Sequence, residues 1–387
     1  MERQMTHSGS SSAVRVAVRN RASFLVFLTM ASRTSTFISW LLCILVFAGS
    51  AAAFPPSSIS SLASKTSLTE DQKGDIAEYA TYYVDLLANG DAEEVMRARA
   101  KLIEPMTNMI GSISAIFRGT YSNDVLPTLE KVIDSNENYR SINALQVIGF
   151  LGSDTAISLL VKHCDIDEEP SVEKRLWSAI AIREAIQRSE LTSRKIKSAA
   201  RDLKRAIESE TDWRALTGQF ETISSIAQIE LSEDQGGDDL RSFGRNMQIE
   251  VIQDVVNRLK TNQTPVELIQ SLQPGIATIR QQYLDGSREL REEIGRELAP
   301  PLQGVYVIVV ERYDEFDERP EVKKAAWYTL RISEETLKAI DSSMRSRGTP
   351  LTMESESAWN NGQKDVLKQH GDQWAQILSG PPYNAAP

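Results

Sequence analysis

Glu169-Pro170-Ser171-Val172-Glu173-Lys174-Arg175-Leu176-Trp177-Ser178-Ala179-Ile180 can be laid without a gap over Arg319-Pro320-Glu321-Val322-Lys323-Lys324-Ala325-Ala326-Trp327-Tyr328-Thr329-Leu330, at an offset of 150. Pro, Val, Lys and Trp coincide, and Ile180 meets Leu330. An acidic turn precedes each proline: Asp165, Asp167, Glu168 and Glu169 in the first copy, Asp314, Glu315, Asp317 and Glu318 in the second. Carboxylates favour the positive end of a helix dipole, and proline is tolerated in the first turn, where no N–H is needed. Both copies therefore read as helix starts. Val172, Trp177 and Ile180 are expected on one buried face, with Val322, Trp327 and Leu330 in the equivalent places. A looser echo, Tyr139 to Gly149, places Ala144-Leu145 35 residues before Ala179-Ile180.

Outward from this repeat, apolar residues recur every three or four positions from Thr69 onward, the period of amphipathic helices. Thr69-Glu70-Asp71-Gln72 has the pattern of a capping box, and the helix it opens is expected to end at Asn89-Gly90. A second helix should run from Asp91 through Met106, and further helices over about 122–134, 138–151 and 153–163. Thr264-Pro265-Val266-Glu267 reads as another capped start. Only Val305-Tyr306-Val307-Ile308-Val309-Val310 favours strand by propensity. With no partner strand in a helical chain it is expected to be a buried helix.

Asn143-Ala144-Leu145 through Leu151-Gly152, then Ala156 to Leu160, an acidic turn, and Pro170 with Val172 together resemble a HEAT repeat; so does Leu302 to Leu330. The resemblance covers about 139–187 and 301–342, and residues 188–300 lack the turn signature. It implies an all-α, irregular armadillo-like α-α superhelix of antiparallel helix pairs, over 69–342. It also implies a binding or scaffolding role, with no reaction attached.

Residues 37–49 form an uncharged apolar segment preceded by Arg33 and followed by Ser50-Ala51-Ala52-Ala53-Phe54. That is the pattern of a secretory signal over 30–53, with Ala51 and Ala53 as the small residues before the cleavage point. Met30 is the expected true start, residues 1–29 being an over-extended beginning. The segment is shorter than the ~20 residues that span a bilayer, so cleavage is expected over a signal anchor, the only route by which this reading allows membrane attachment. The Ser- and Pro-rich stretch 54–68 is expected to be a linker. It also suits a secondary-plastid leader, but it holds Lys65 and no Arg, which favours a periplasmic or secreted address.

The whole chain of 387 residues carries net charge −10, and residues 1–53 contribute five Arg and one Glu, so the remaining 334 residues carry −14. A global nucleic-acid binder is disfavoured, because phosphate affinity rests on clustered Lys and Arg. The chain has two Cys and three His; beyond the leader only Cys164, His163 and His370 remain, so no intramolecular disulfide is available. His163 and Cys164 are sequence neighbours, about 100° apart on a helix, and do not form a catalytic pair with each other. No dinucleotide fingerprint, phosphate loop or metalloprotease pattern occurs there, and no cofactor is expected.

Arg194, Lys197, Arg201 and Lys204 recur every three or four residues and make one helix face basic, the best local dock for an acidic protein or anionic polymer. The ordinary reading of such a face is solvation. Glu233 to Asp239 lacks the alternating ligands of a calcium loop and reads as a linker. Asn262-Gln263-Thr264 is a glycosylation sequon. Residues 343–387 are expected to hold a break at Gly348-Thr349-Pro350, an amphipathic helix containing Trp359, Val366, His370, Trp374 and Ile377, and a disordered tail. The expectation is an exported, HEAT-like scaffold that binds a protein or polymer on its concave or basic face. The rival is an extracellular enzyme with carboxylate catalysis, or a HEAT-type lyase, favoured if a pocket gathers several acids beside Trp or Tyr.

Overall fold

The computed structural model describes residues 55–107, 113–188, 191–229, 236–261, 263–345 and 355–383. Residues 1–54 lie outside these, and with them the expected signal segment, Ala51 and Ala53; so do Asn262 of the sequon and 346–354. The described residues are helical and contain no strand. None of their helices is long and apolar enough to cross a membrane.

The capping box is present: Gln72 N donates to Thr69 Oγ1 (3.3 Å), and Thr69 N donates to Gln72 Oε1 (3.2 Å). It opens α1 (Glu70–Asn89), which stops at Gly90. Then follow α2 (Ala92–Thr107), α3 (Ala115–Ile133), α4 (Asn138–Leu151), α5 (Asp154–Lys162), α6 (Val172–Arg188), α7 (Ser193–Ser209) and α8 (Trp213–Ile226). The chain continues with α9 (Gly237–Leu259), α10 (Ile269–Asp285), α11 (Arg288–Glu311), α12 (Tyr313–Asp317), α13 (Pro320–Met344), α14 (Ser355–Asn360) and α15 (Lys364–Ser379). Val305, Tyr306, Ile308 and Val309 are buried inside α11, as a β-branched run must be when helices surround it.

These helices form two layers. In one, α2, α4, α6, α8, α10 and α13 pack in succession; in the other, α1, α3, α5, α7, α9, α11 and α15 do. Consecutive helices cross between the layers, so each pair buries its apolar stripes against the pairs before and after it. Close approach needs small residues. A Cβ on Gly149 of α4 would sit 2.9 Å from the carbonyl oxygen of Ala181 in α6, a backbone atom that cannot swing away.

Basic side chains stitch successive pairs by reaching carbonyls at helix C-termini. Arg140 Nη2 donates to Gly90 O (3.0 Å), Lys174 Nζ to Ile133 O (2.7 Å), Arg258 Nη1 to Ile207 O (2.8 Å), and Arg312 Nη1 to Leu259 O (3.2 Å). Each adds a donor to a carbonyl near a helix end and places positive charge at the negative dipole end.

The repeat exists, with a corrected register. Trp177, Val172 and Ile180 are only half-buried, and the inward face of α6 is instead Lys174, Arg175, Ser178, Ala179 and Ile182. In α13, Val322 and Leu330 are buried as expected, whereas Trp327 is half-buried. The two burial patterns fall into step at an offset of 151: Arg175 with Ala326, Ser178 with Thr329, Ala179 with Leu330, and Ile182 with Ser333. One residue is a rotation of about 100°, enough to take the indole off the inward face. The starts differ too. Pro320 is the first residue of α13, while Pro170 lies two residues before α6.

Arg175 is buried because it has complete company. Its Nε and Nη2 donate to Glu210 Oε2 (2.7 Å) and Oε1 (2.9 Å), and its Nη1 to the carbonyls of Glu169 (2.9 Å) and Pro170 (3.1 Å). Glu210 Oε1 also accepts from Thr211 N (2.9 Å) and Asp212 N (2.8 Å). A buried ion pair persists only when its remaining donors and acceptors are met in this way.

Three boundaries change. The stretch expected to be a linker contains a 3₁₀ turn at Ser60–Leu62, with Ile59 and Ala63 buried and Ser114 N donating to Ala63 O (2.8 Å). Thr264 does not cap: its hydroxyl bonds Thr261, a 3₁₀ turn at Val266–Leu268 precedes α10, and Glu267 pairs with Arg319. The C-terminal helix is two helices. α15 packs on α11 through Leu367, Trp374 and Leu378, and the expected disordered tail remains packed as far as Tyr383, whose hydroxyl donates to Asp341 Oδ1 (3.2 Å). Pro55–Pro387 is one compact unit.

Candidate functional site

The basic face of α7 is largely consumed by its neighbour α9. Lys197 pairs with Asp239, and Lys204 with Glu250 at 2.5 Å. Lys197 and Arg201 both lie over the Phe243 ring, at 5.3 and 5.4 Å from its centroid. Arg194 is exposed. The four residues do share one face, but α9 supplies acids at the matching spacing, so the face works mainly as a helix-to-helix seam. Asp238 and Asp239, read as part of an acidic linker, belong to the first turn of α9, and Gly236 before them holds the left-handed conformation (φ 77°).

Cys164 is buried, and burial first, then the nearby Glu210, pushes its thiol upward, away from the thiolate that nucleophilic chemistry requires. His163 Nδ1 lies 3.2 Å from Glu169 Oε2, in the turn before α6. Both serve the packing of that turn.

A cleft of about 650 Å³ opens between α13 and α14. One wall is a stripe of α13, namely Trp327, Arg331, Glu334, Glu335 and Lys338. The other is Ser355, Glu356, Ser357 and Asn360 of α14. Intervals of four, three, one and three residues keep the α13 stripe on one helix face. Arg331 Nε holds Glu335 Oε1 (3.0 Å), and Lys338 pairs with Glu334. Glu356 is exposed and forms no salt bridge among the described residues.

Beneath the cleft a polar chain runs inward. Tyr306 Oη of α11 donates to Glu334 Oε2 (2.9 Å) and lies 3.3 Å from Ser355 Oγ, which in turn lies 3.1 Å from His370 Nδ1 of α15. Burial pulls the His370 pKa below its usual value, with the Glu334 field opposing and Lys338 assisting. The Tyr306 phenol is driven upward, by burial first and then by Glu334, and remains protonated as a donor. The chain ties α11, α13, α14 and α15 together under the cleft floor.

Sequence reasoning assigned Trp327 to the core and passed over Arg331, Glu334, Glu335 and Lys338. The available signal was their helical spacing from Trp327. What it could not show is that, among the described residues, no long helix covers that face.

No family model matches the sequence, and no curated protein matches it significantly. Among solved structures, one engineered protein is similar over 68% of this chain and 97% of its own, at 16% identity and TM-score 0.32. A second engineered protein covers 84% of this chain and 90% of its own, at 16% identity and TM-score 0.30. A computationally designed self-assembling cyclic homooligomer covers 79% and 98%, at 15% identity and TM-score 0.21. Likeness at this level assigns no family and no activity.

Proposed function

We propose that this chain is an exported, HEAT-like scaffold that binds a partner through the open end of its helical stack. The observation that carries the reading is the cleft on α13: every earlier helix of that layer is covered by the next, while this one presents a charged, half-exposed stripe. The basic face of α7 is the weaker candidate, since two of its four cations already hold acids of α9. The test is affinity capture from the native envelope fraction with three baits: the wild-type chain, Arg331→Glu/Glu356→Lys and Arg194→Glu/Arg201→Glu. A partner lost only with the first variant supports the reading. Equal recovery on all three, or no specific partner, overturns it. Export is tested separately by mass spectrometry of the secreted or periplasmic protein, which should begin at Phe54.

A second reading, an extracellular enzyme using carboxylates, is favoured by one feature: Glu334, Glu335 and Glu356 gather beside Trp327. Paired carboxylates carry general acid–base work when their environments differ. Glu334 is buried and held by Tyr306, whereas Glu356 is exposed. Turnover of a polymer substrate that disappears in Glu356→Gln would support it, and turnover unchanged in that variant would remove Glu356 from the chemistry.

A further inference from the structure

We infer that the cleft between α13 and α14 is a saccharide site, with the Trp327 indole as the stacking surface and planar polar groups around it as partners for ring hydroxyls. This concerns the ligand chemistry of the cleft and stands whether or not a protein partner also binds there.

The lining decides the class. Among the described residues no aliphatic side chain borders the cleft, and the carbon-rich surface they offer is the Trp327 ring. A lipid or an apolar helix needs apolar walls, which the described residues do not supply. An ammonium ligand is best held between several rings, but the other rings here stand behind Trp327. Trp359 stacks on it at 6.1 Å and is only 4% exposed, and Tyr313 meets Trp359 edge-on at 5.1 Å. A pyranose has a flat C–H face suited to one indole, and a rim of hydroxyls that each donate and accept. Arg331, Glu335, Glu356 and Asn360 supply donors and acceptors in planar arrays to match that rim. The volume, about 650 Å³, lies within the roughly 300–1,000 Å³ of small-ligand clefts.

The groups are held before any ligand arrives. Trp327 is backed by Trp359, Arg331 is oriented by Glu335, and Glu334 accepts from Tyr306. Preorganised groups lose less side-chain entropy on binding. Charge sets the preference within the class. Arg331 and Lys338 each pair with a glutamate of their own helix, so the described lining carries one carboxylate more than it has cations, with Glu356 in the field of Arg331. Neutral or amino sugars are accepted, and uronates are repelled.

The experiment is calorimetric titration of the full chain, with tryptophan fluorescence followed in parallel, using cellotetraose, tetra-N-acetylchitotetraose and tetragalacturonate. Saturable binding of a neutral tetrasaccharide, a change in indole emission and no binding of the uronate are expected. Trp327→Ala should abolish binding. Glu356→Gln, an exposed change that leaves folding untouched, should weaken it about tenfold, the weight of one charge-assisted hydrogen bond. If Trp327→Ala fails to fold, Trp327→Phe takes its place and should bind more weakly than wild type. The inference is overturned if neither neutral probe binds, or if binding is unchanged in both Glu356→Gln and the Trp327 variant. A protein partner captured through the cleft by a chain that binds no saccharide would overturn this inference and leave the scaffold reading standing.

Discussion

Helices α6 and α13 are two copies of one sequence pattern placed in different surroundings. α6 lies between α4 and α8; α13 has α10 on one side and, among the described residues, the six-residue α14 near the other. On α6 the stripe facing α8 includes Leu176, against which a Cβ on Gly218 would collide at 2.6 Å, and Arg183, which pairs with Glu221 at 3.0 Å. At the offset of 151 those positions become Trp327 and Glu334, both lining the cleft. A stripe that is a packing seam inside the stack becomes a polar cleft at its end. The end helix cannot present Leu to solvent without cost, so its stripe carries an indole and charges instead.

This contrast can be broken in order of expected effect. Glu210→Ala should be the most damaging, because it strands the Arg175 guanidinium in the interior; a loss of about 3–5 kcal/mol is expected in urea unfolding. A surface-like effect would show that α6 is not enclosed as described. Gly149→Ala should cost about 1–3 kcal/mol by overpacking α4 on α6 against the Ala181 backbone, read from the same transition. Trp177→Ala should cost about 2 kcal/mol, less than the ~3–5 kcal/mol of a fully buried aromatic. Trp327→Ala should cost less again, since its stripe borders the cleft; the reverse order would mean that the end helix is covered.

The smallest effect is a pH dependence confined to the cleft region. Burial depresses the folded-state pKa of His370, so the stability it contributes is present above its unfolded value near 6.5 and is lost as pH falls through the folded value. Between about pH 7 and pH 5, thermal unfolding of wild type should therefore fall further than that of His370→Asn. Equal slopes would show that the imidazole does not sense its surroundings.

Much of the architecture is legible in the chain. The Thr69–Gln72 box, the stop at Gly90, the helix over Asn138–Leu151 and the helical fate of Val305–Val310 all follow from capping chemistry and periodicity, which are local. The cleft was only partly legible. Trp327 stood out as a repeat position, but its environment depends on α14, which periodicity through Trp359 merges with α15 into one helix. The basic face of α7 was visible, whereas its neutralisation by Asp239 and Glu250 was not, because those acids lie 42 and 46 residues from their partners.

The sequence by itself determined that this chain forms serial amphipathic helices with repeated starts, because helix period and end-capping are set by residues within a few positions of one another. Only the tertiary structure decided which face of each repeat turns inward, since one residue of register is about 100° of rotation, and both faces of α6 could be argued from composition. It also decided that Arg175 belongs inside and Trp327 beside a cleft. Burying a charge depends on partners brought from elsewhere in the chain, and Glu210, 35 residues away, is what makes the interior tolerable for Arg175, while Trp327 lines the cleft beside the short α14.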